Sequence, residues 1–218
     1  MLKTAKLVLM TGVLCGLITL PADARGVRGR IFRMNPRGGV TRSAGAAAKG
    51  ANGGVAAKGH SLSTNGQGTA TRTDVGKATG PNGGTVSRQS STTTSGSGTA
   101  THQGTVSATG PNGGSVTTTR TAGNGSATRS TTATGPNGGS VTSSATAGNG
   151  TATRSTSATG ANGSSMSSSA TAGNGSATRS TQATGPNGNS YSGSTTAAKG
   201  SGVQHTGACT TASGAPCK

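Results

Sequence analysis

The chain has 218 residues and a formal charge of +17, with 41 Gly, one Tyr, one Phe and no Trp. So few large apolar side chains cannot build a conventional globular core, and low hydrophobicity with high net charge marks a chain that does not collapse on its own. The only acids are Asp23 and Asp74, which leaves little for acid–base chemistry and turns the chain toward polyanions.

Residues 1–24 have the layout of a secretory leader. Lys3 and Lys6 open it, an apolar run follows from Leu7 to Leu20, Pro21 breaks the run, and Ala22-Asp23-Ala24 offers a cleavage site. The run is short for a membrane span. Cys15 lies inside it after Leu14, so a lipoprotein cleavage site is not expected. Loss of 1–24 removes Lys3, Lys6 and Asp23 and leaves 17 basic side chains against one acid, a charge of +16. The expected location is secreted, periplasmic or at the cell surface.

Residues 25–60 form a basic head with Arg25, Arg28, Arg30, Arg33, Arg37 and Arg42 scattered among glycines. No helical or alternating period is evident there, so the head is expected to be disordered. It reads as a tether to anionic envelope or matrix polymers, such as lipopolysaccharide or a cell-wall polymer. Nucleic acid is the disfavoured partner, because single-strand binders interleave aromatics for stacking and Phe32 stands alone.

Residues 61–200 are a Gly/Ser/Thr-rich repeat array. Asn52, Asn82, Asn112, Asn137, Asn162 and Asn187 recur at steps of 30, 30, 25, 25 and 25. Fixed spacing of that size means repeat architecture. A second turn signal, Gly-Asn-Gly, lies between them at 123–125, 148–150 and 173–175. Asn-Gly supplies the positive φ of tight hairpin turns, and Pro presets the φ of a neighbour. Between turns the alternation is strict: Ser115, Thr117, Thr119 and Thr121 against Val116, Thr118, Arg120 and Ala122, with the same pattern in each later copy. Alternate strand residues point to opposite faces, and Thr and Val favour strands. Each 25-residue unit is therefore expected to be two strands of about eight residues.

Two architectures fit over about 65–195: a thin β-solenoid or a meander of hairpins. In either, Val86, Val116, Val141, Met166 and Tyr191 align in one column and Arg129, Arg154 and Arg179 in another. Solenoid coils lie about 4.8 Å apart, where stacked guanidinium groups repel, so the Arg face is expected outward and the Ser/Thr face inward. Exposed β edges offer a route to self-association.

The tail, 201–218, holds Cys209 and Cys217, an even pair that favours a disulfide in an exported chain. Two Cys with only His205 nearby do not make a metal site. No nucleophile–base–orienter set, phosphate loop or cofactor motif can be named, so no catalytic, cofactor or metal residues are expected. The Asn-Gly-Ser/Thr tripeptides that match a glycosylation acceptor are accounted for by turn chemistry.

In composition, residues 50–200 resemble exported bacterial Gly/Ser/Thr-rich repeat proteins of surfaces and matrices, without the regular Gln and Asn ladder of curli-type subunits. The Thr-x-Thr spacing is similar to that of β-helical ice-binding proteins. Three functions follow as expectations: a non-enzymatic structural or surface-interaction protein held to the anionic envelope by its head, a soluble polyanion-binding module, and an ice- or glycan-binding Thr array.

Overall fold

The computed structural model describes residues 5–7, 18–20, 26–50 and 52–217. The expected leader lies outside the described residues, except for the short antiparallel pair β1 (Ala5–Leu7) and β2 (Ile18–Leu20); Arg25 lies outside them as well. Among the described residues, everything from 26 onward forms one antiparallel sheet of fourteen strands, and each strand pairs with its neighbours in sequence. The strands are β3 (Val27–Met34), β4 (Val40–Lys49), β5 (Val55–Thr64), β6 (Ala70–Thr79), β7 (Thr85–Thr94), β8 (Ala100–Thr109), β9 (Ser115–Gly123) and β10 (Ser126–Thr134). They continue as β11 (Ser140–Gly148), β12 (Thr151–Thr159), β13 (Ser165–Gly173), β14 (Ser176–Thr184), β15 (Ser190–Ala198) and β16 (Gly202–Thr210).

The architecture is thus an open meander, and the solenoid alternative is set aside, because a solenoid stacks like coils in parallel while every pairing here is antiparallel. The head is not disordered over its described part: residues 27–34, 40–49 and 55–64 are strands in continuous register with the array. Glycines at Gly29, Gly45 and Gly59 interrupt the apolar/polar alternation of these strands and hide a period that their backbone still obeys.

Turn chemistry explains both repeat lengths. Two ten-residue strands with two five-residue turns recur every 30 residues; two nine-residue strands with one five-residue and one two-residue turn recur every 25. In the five-residue turn at 110–114, Gly110 N–H donates to Gly114 O at 2.7 Å and Gly113 N–H to Gly110 O at 3.1 Å. Pro111 presets the first bend, and Gly113, not Asn112, takes the positive φ of 85°. In the two-residue turn Asn124 and Gly125 both do, at 51° and 73°, the mirror-image geometry that matches strand twist.

Among the described residues no second layer covers the fourteen-stranded sheet. The buried side chains among the described residues are Ala47, Ser43 and Ser90. The Ser/Thr face expected inside is therefore open to solvent. A single sheet has no interior, and its hydroxyls bond along the surface instead, as in Ser144–Ser155 at 2.7 Å and Ser169–Ser180 at 2.8 Å.

Candidate functional site: a basic face

Cross-strand partners share a face, so the register sorts the whole sheet into two surfaces. One, the hydroxyl face, carries Thr85, Ser87, Thr105, Ser107, Thr117, Thr119 and their equivalents out to Ser194 and Thr206. From β7 to β16 it bears no charged side chain. Its charges, Arg33, Lys49 and Lys77, are all in β3 to β6.

The other surface, the basic face, is built in rows that cross the strands. One row runs Val86–Ala108–Val116–Ala133–Val141–Ala158–Met166–Ala183–Tyr191–Cys209. Each large side chain is flanked by a small one and stays about half-exposed, Val141 and Met166 at 42%. The next row is hydroxylic, with Thr118–Thr131 at 3.0 Å and Ser143–Thr156 and Ser168–Thr181 both at 3.2 Å. The third row is basic: Arg120–Arg129–Ala145–Arg154–Ala170–Arg179–Thr195–His205. The fourth is alanine from Ala122 through Ala127, Ala147, Ala152, Ala172 and Ala177 to Ala197. Together the basic and alanine rows line a shallow trough of about 790 Å³.

The two expected columns therefore exist with one change. A strand from the intervening half-repeat separates successive members, so Arg129, Arg154 and Arg179 repeat at about 9.6 Å rather than 4.8 Å. At physiological salt that separation exceeds the screening length of about 8 Å, and Ala145 and Ala170 fill the gaps. Arg120 is the exception, since it stands directly opposite Arg129.

The same face continues into the N-terminal strands. Arg28, Arg30, Arg42, Lys58, Arg72 and Arg88 all lie on it. Arg28, Arg30, Lys58, Arg72 and Arg88 rim a trough of about 860 Å³ whose floor is Ala44, Ala46 and Gly76. Of the head arginines singled out from sequence, the structure thus gathers Arg28, Arg30 and Arg42 with Arg129, Arg154 and Arg179. It puts Arg33 on the opposite face and Arg37 in the turn at 35–39. Lys58, Arg72 and Arg88 belong to the set and are not among the sequence candidates, while Arg120 joins Arg129 on the face that strand alternation gives it. The five-residue turns keep the parity of alternation from strand to strand, so counting residues through them places Lys58, Arg72 and Arg88 on the face of Arg120.

Asp74, the acid of this surface, binds Arg72, with Nε donating to Oδ2 at 2.9 Å and the second nitrogen to Oδ1 at 3.1 Å. That hydrogen bond and the attraction behind it raise the Arg72 pKa. His60, Asp74 and Ser90 fall in one cross-strand row. Asp74 sits between the other two, whereas a hydrolytic relay needs the imidazole in the middle. His102 and His205 instead pair with Thr92 and Thr195, each at 2.9 Å. Among the described residues, no three His, Cys, Asp or Glu come together as a metal-holding group, and no helix is long and apolar enough to cross a membrane.

At the far edge Cys209 and Cys217 form a disulfide, with Cα atoms 5.3 Å apart. Tyr191 lies over Gly193 and Gly207, and a Cβ at Gly207 would meet its hydroxyl oxygen at 3.1 Å.

Comparison with protein-family models, with curated proteins and with solved structures finds no match.

Proposed function

We propose that this chain is an exported, non-enzymatic surface-interaction protein that lays its basic face on an anionic envelope or matrix polymer. The observation that carries the reading is the gathering of Arg28, Arg30, Arg42, Arg72, Arg88, Arg120, Arg129, Arg154 and Arg179 on one surface of a sheet with no core to stabilise. Guanidinium groups bind carboxylates and phosphates in fork geometry, and those here point to solvent from a floor of Ala and Gly. Arg120 opposite Arg129 is a like-charge pair that weakens the sheet unless an anion bridges it. The binding element is thus the whole face, and the head contributes its first three strands.

The test is binding of the purified chain to lipopolysaccharide and to an acidic wall polymer across a salt series. Affinity should fall steeply with salt as counterions are released. Affinity that ignores salt, or that survives joint conversion of Arg28, Arg30, Arg72, Arg88, Arg120, Arg129, Arg154 and Arg179 to Gln, defeats the proposal.

A second reading attaches to the opposite surface. The hydroxyl face from β7 to β16 is uncharged and exposed, the presentation that an ice- or glycan-binding Thr array requires. Replacing Thr117, Thr119, Thr128 and Thr132 by Val should then abolish ice-growth inhibition or glycan retention and leave polyanion binding intact. Unchanged inhibition and retention in that variant would reject it.

A further inference from the structure

We infer that a second copy of this chain docks on the sheet edge, β16 of one copy against β3 of the next, extending the meander head to tail. The inference rests on the two edge strands and not on polymer binding.

Among the described residues nothing pairs with the outer side of β3. On β16 only the end of the strand is covered: Cys217 N–H donates to Cys209 O at 3.1 Å and Thr210 bridges Pro216. The disulfide clip therefore leaves Gly202–Ala208 open. Edge strands with unpaired N–H and C=O groups are templates for another chain. Among the described residues the most exposed large apolar side chains sit on these two strands: Met34 at 76%, Val203 at 72% and Phe32 at 60%.

Hydrogen-bond parity specifies how two copies would meet. Asn35 N–H donates to Gly39 O, so odd-numbered residues of β3 bond inward to β4, and Arg28, Arg30 and Phe32 direct their backbone groups outward. The bond to Cys209 O shows that odd-numbered residues of β16 face outward, hence Val203, His205 and Gly207. Antiparallel bonded pairs join outward residues to outward residues. All six positions lie on the basic face, with side chains at every one but Gly207, so any bonded register keeps that face continuous from copy to copy.

Charge selects the partner edge. β3 carries Arg28, Arg30 and Arg33, and two such edges repel; β16 has no Lys, Arg, Asp or Glu. The open seven residues of β16 match Val27–Arg33 with Val203 opposite Phe32, His205 opposite Arg30, and Gly207 leaving room for Arg28. Fourteen alternating strands make β16 and a translated β3 antiparallel. The contact is heterologous and open, so growth continues past two copies.

The experiment is sedimentation velocity of the purified chain with its natural N-terminus over a concentration series, with no polymer present. Mass should rise through trimers and beyond. His205→Lys, which sets a second cation opposite Arg30, should weaken association about fivefold. Adding Arg30→Glu to His205→Lys should restore it. Mass that stops at two copies, a lack of growth, equal assembly by wild type and His205→Lys, or failure of the double variant to recover overturns the inference. Circular dichroism accompanies each variant, and the recovering double variant separates a lost contact from a lost fold. Because no polymer is present, failure here leaves the polymer reading standing, and loss of polymer binding leaves this one standing.

Discussion

The N-terminal strands β3–β8 and the C-terminal strands β9–β16 share one topology and one basic face, but they are written differently. The first set uses five-residue turns at both ends, places glycines inside its strands, and holds the three side chains that are buried among the described residues, Ser43, Ala47 and Ser90. The second alternates five- and two-residue turns until a three-residue turn at 199–201, repeats its side chains closely from β9 to β14, and buries none of them. The first also gathers its cations around a trough of small residues, while the second spaces them along a row. The comparison shows that pairing and turn chemistry are enough to carry the sheet from one region to the other. Side-chain identity then decides only what each face offers.

The largest effect should come from changing which face the second region presents. Deleting 85–99 removes one strand and one turn, an odd number of residues, and flips every strand after β6. Arg120, Arg129, Arg154 and Arg179 would then lie on the face opposite Arg28, Arg30 and Arg72. Deleting 140–164 removes a whole two-strand unit and keeps the faces as they are. Affinity for an anionic polymer at low salt should fall by orders of magnitude in the first variant and far less in the second; equal losses would mean that face identity is irrelevant.

Neutralising each cluster in turn sharpens the same contrast. Changing Arg28, Arg30, Arg72 and Arg88 to Gln, or Arg120, Arg129, Arg154 and Arg179 to Gln, should each lower the salt slope by about three to four. A slope that moves for only one set would assign binding to one region, as read from titrations at several ionic strengths.

Next comes the C-terminal edge. Replacing Cys209 and Cys217 by Ser should lower stability by about 2–3 kcal/mol, the expected loss for a short closed loop, measured by denaturant unfolding. Within the sheet, Ala47 and Ala147 form a matched pair. Ala47 is 8% exposed and Ala147 is open to solvent. Ala47→Leu should cost about 1–3 kcal/mol by overpacking, and Ala147→Leu about 0.5 kcal/mol or less; similar values would show that the first region is no better packed than the second. In a turn, Gly150, with φ of 73° and nothing near a new Cβ, should lose about 1–2 kcal/mol on Gly150→Ala from backbone strain alone, measured by the same unfolding.

Much of this molecule is legible in local sequence. Alternation of Ser and Thr against Val, Ala and Arg in 115–183 dictates extended strands and their two faces, because a strand's side chains alternate whatever it pairs with. Gly-Asn-Gly dictates a two-residue turn, because few other pairs tolerate positive φ at both positions. The head was opaque for a physical reason. Glycines such as Gly29, Gly45 and Gly59 carry no side chain to mark a face, and Ile31 and Phe32 are adjacent, so hydrophobic period was silent while backbone pairing persisted.

Composition and periodicity alone thus determined that the chain builds β repeats without a core and that Arg129, Arg154 and Arg179 keep company. Only the three-dimensional pairing decided that the repeats run as an antiparallel meander, and that Arg28, Arg30 and Arg42 share the surface of those distant arginines. It also decided that the hydroxyls face water. These depend on which strand lies beside which, a long-range choice set by hydrogen-bond register across turns, and a side chain read in its own strand carries no record of its neighbour.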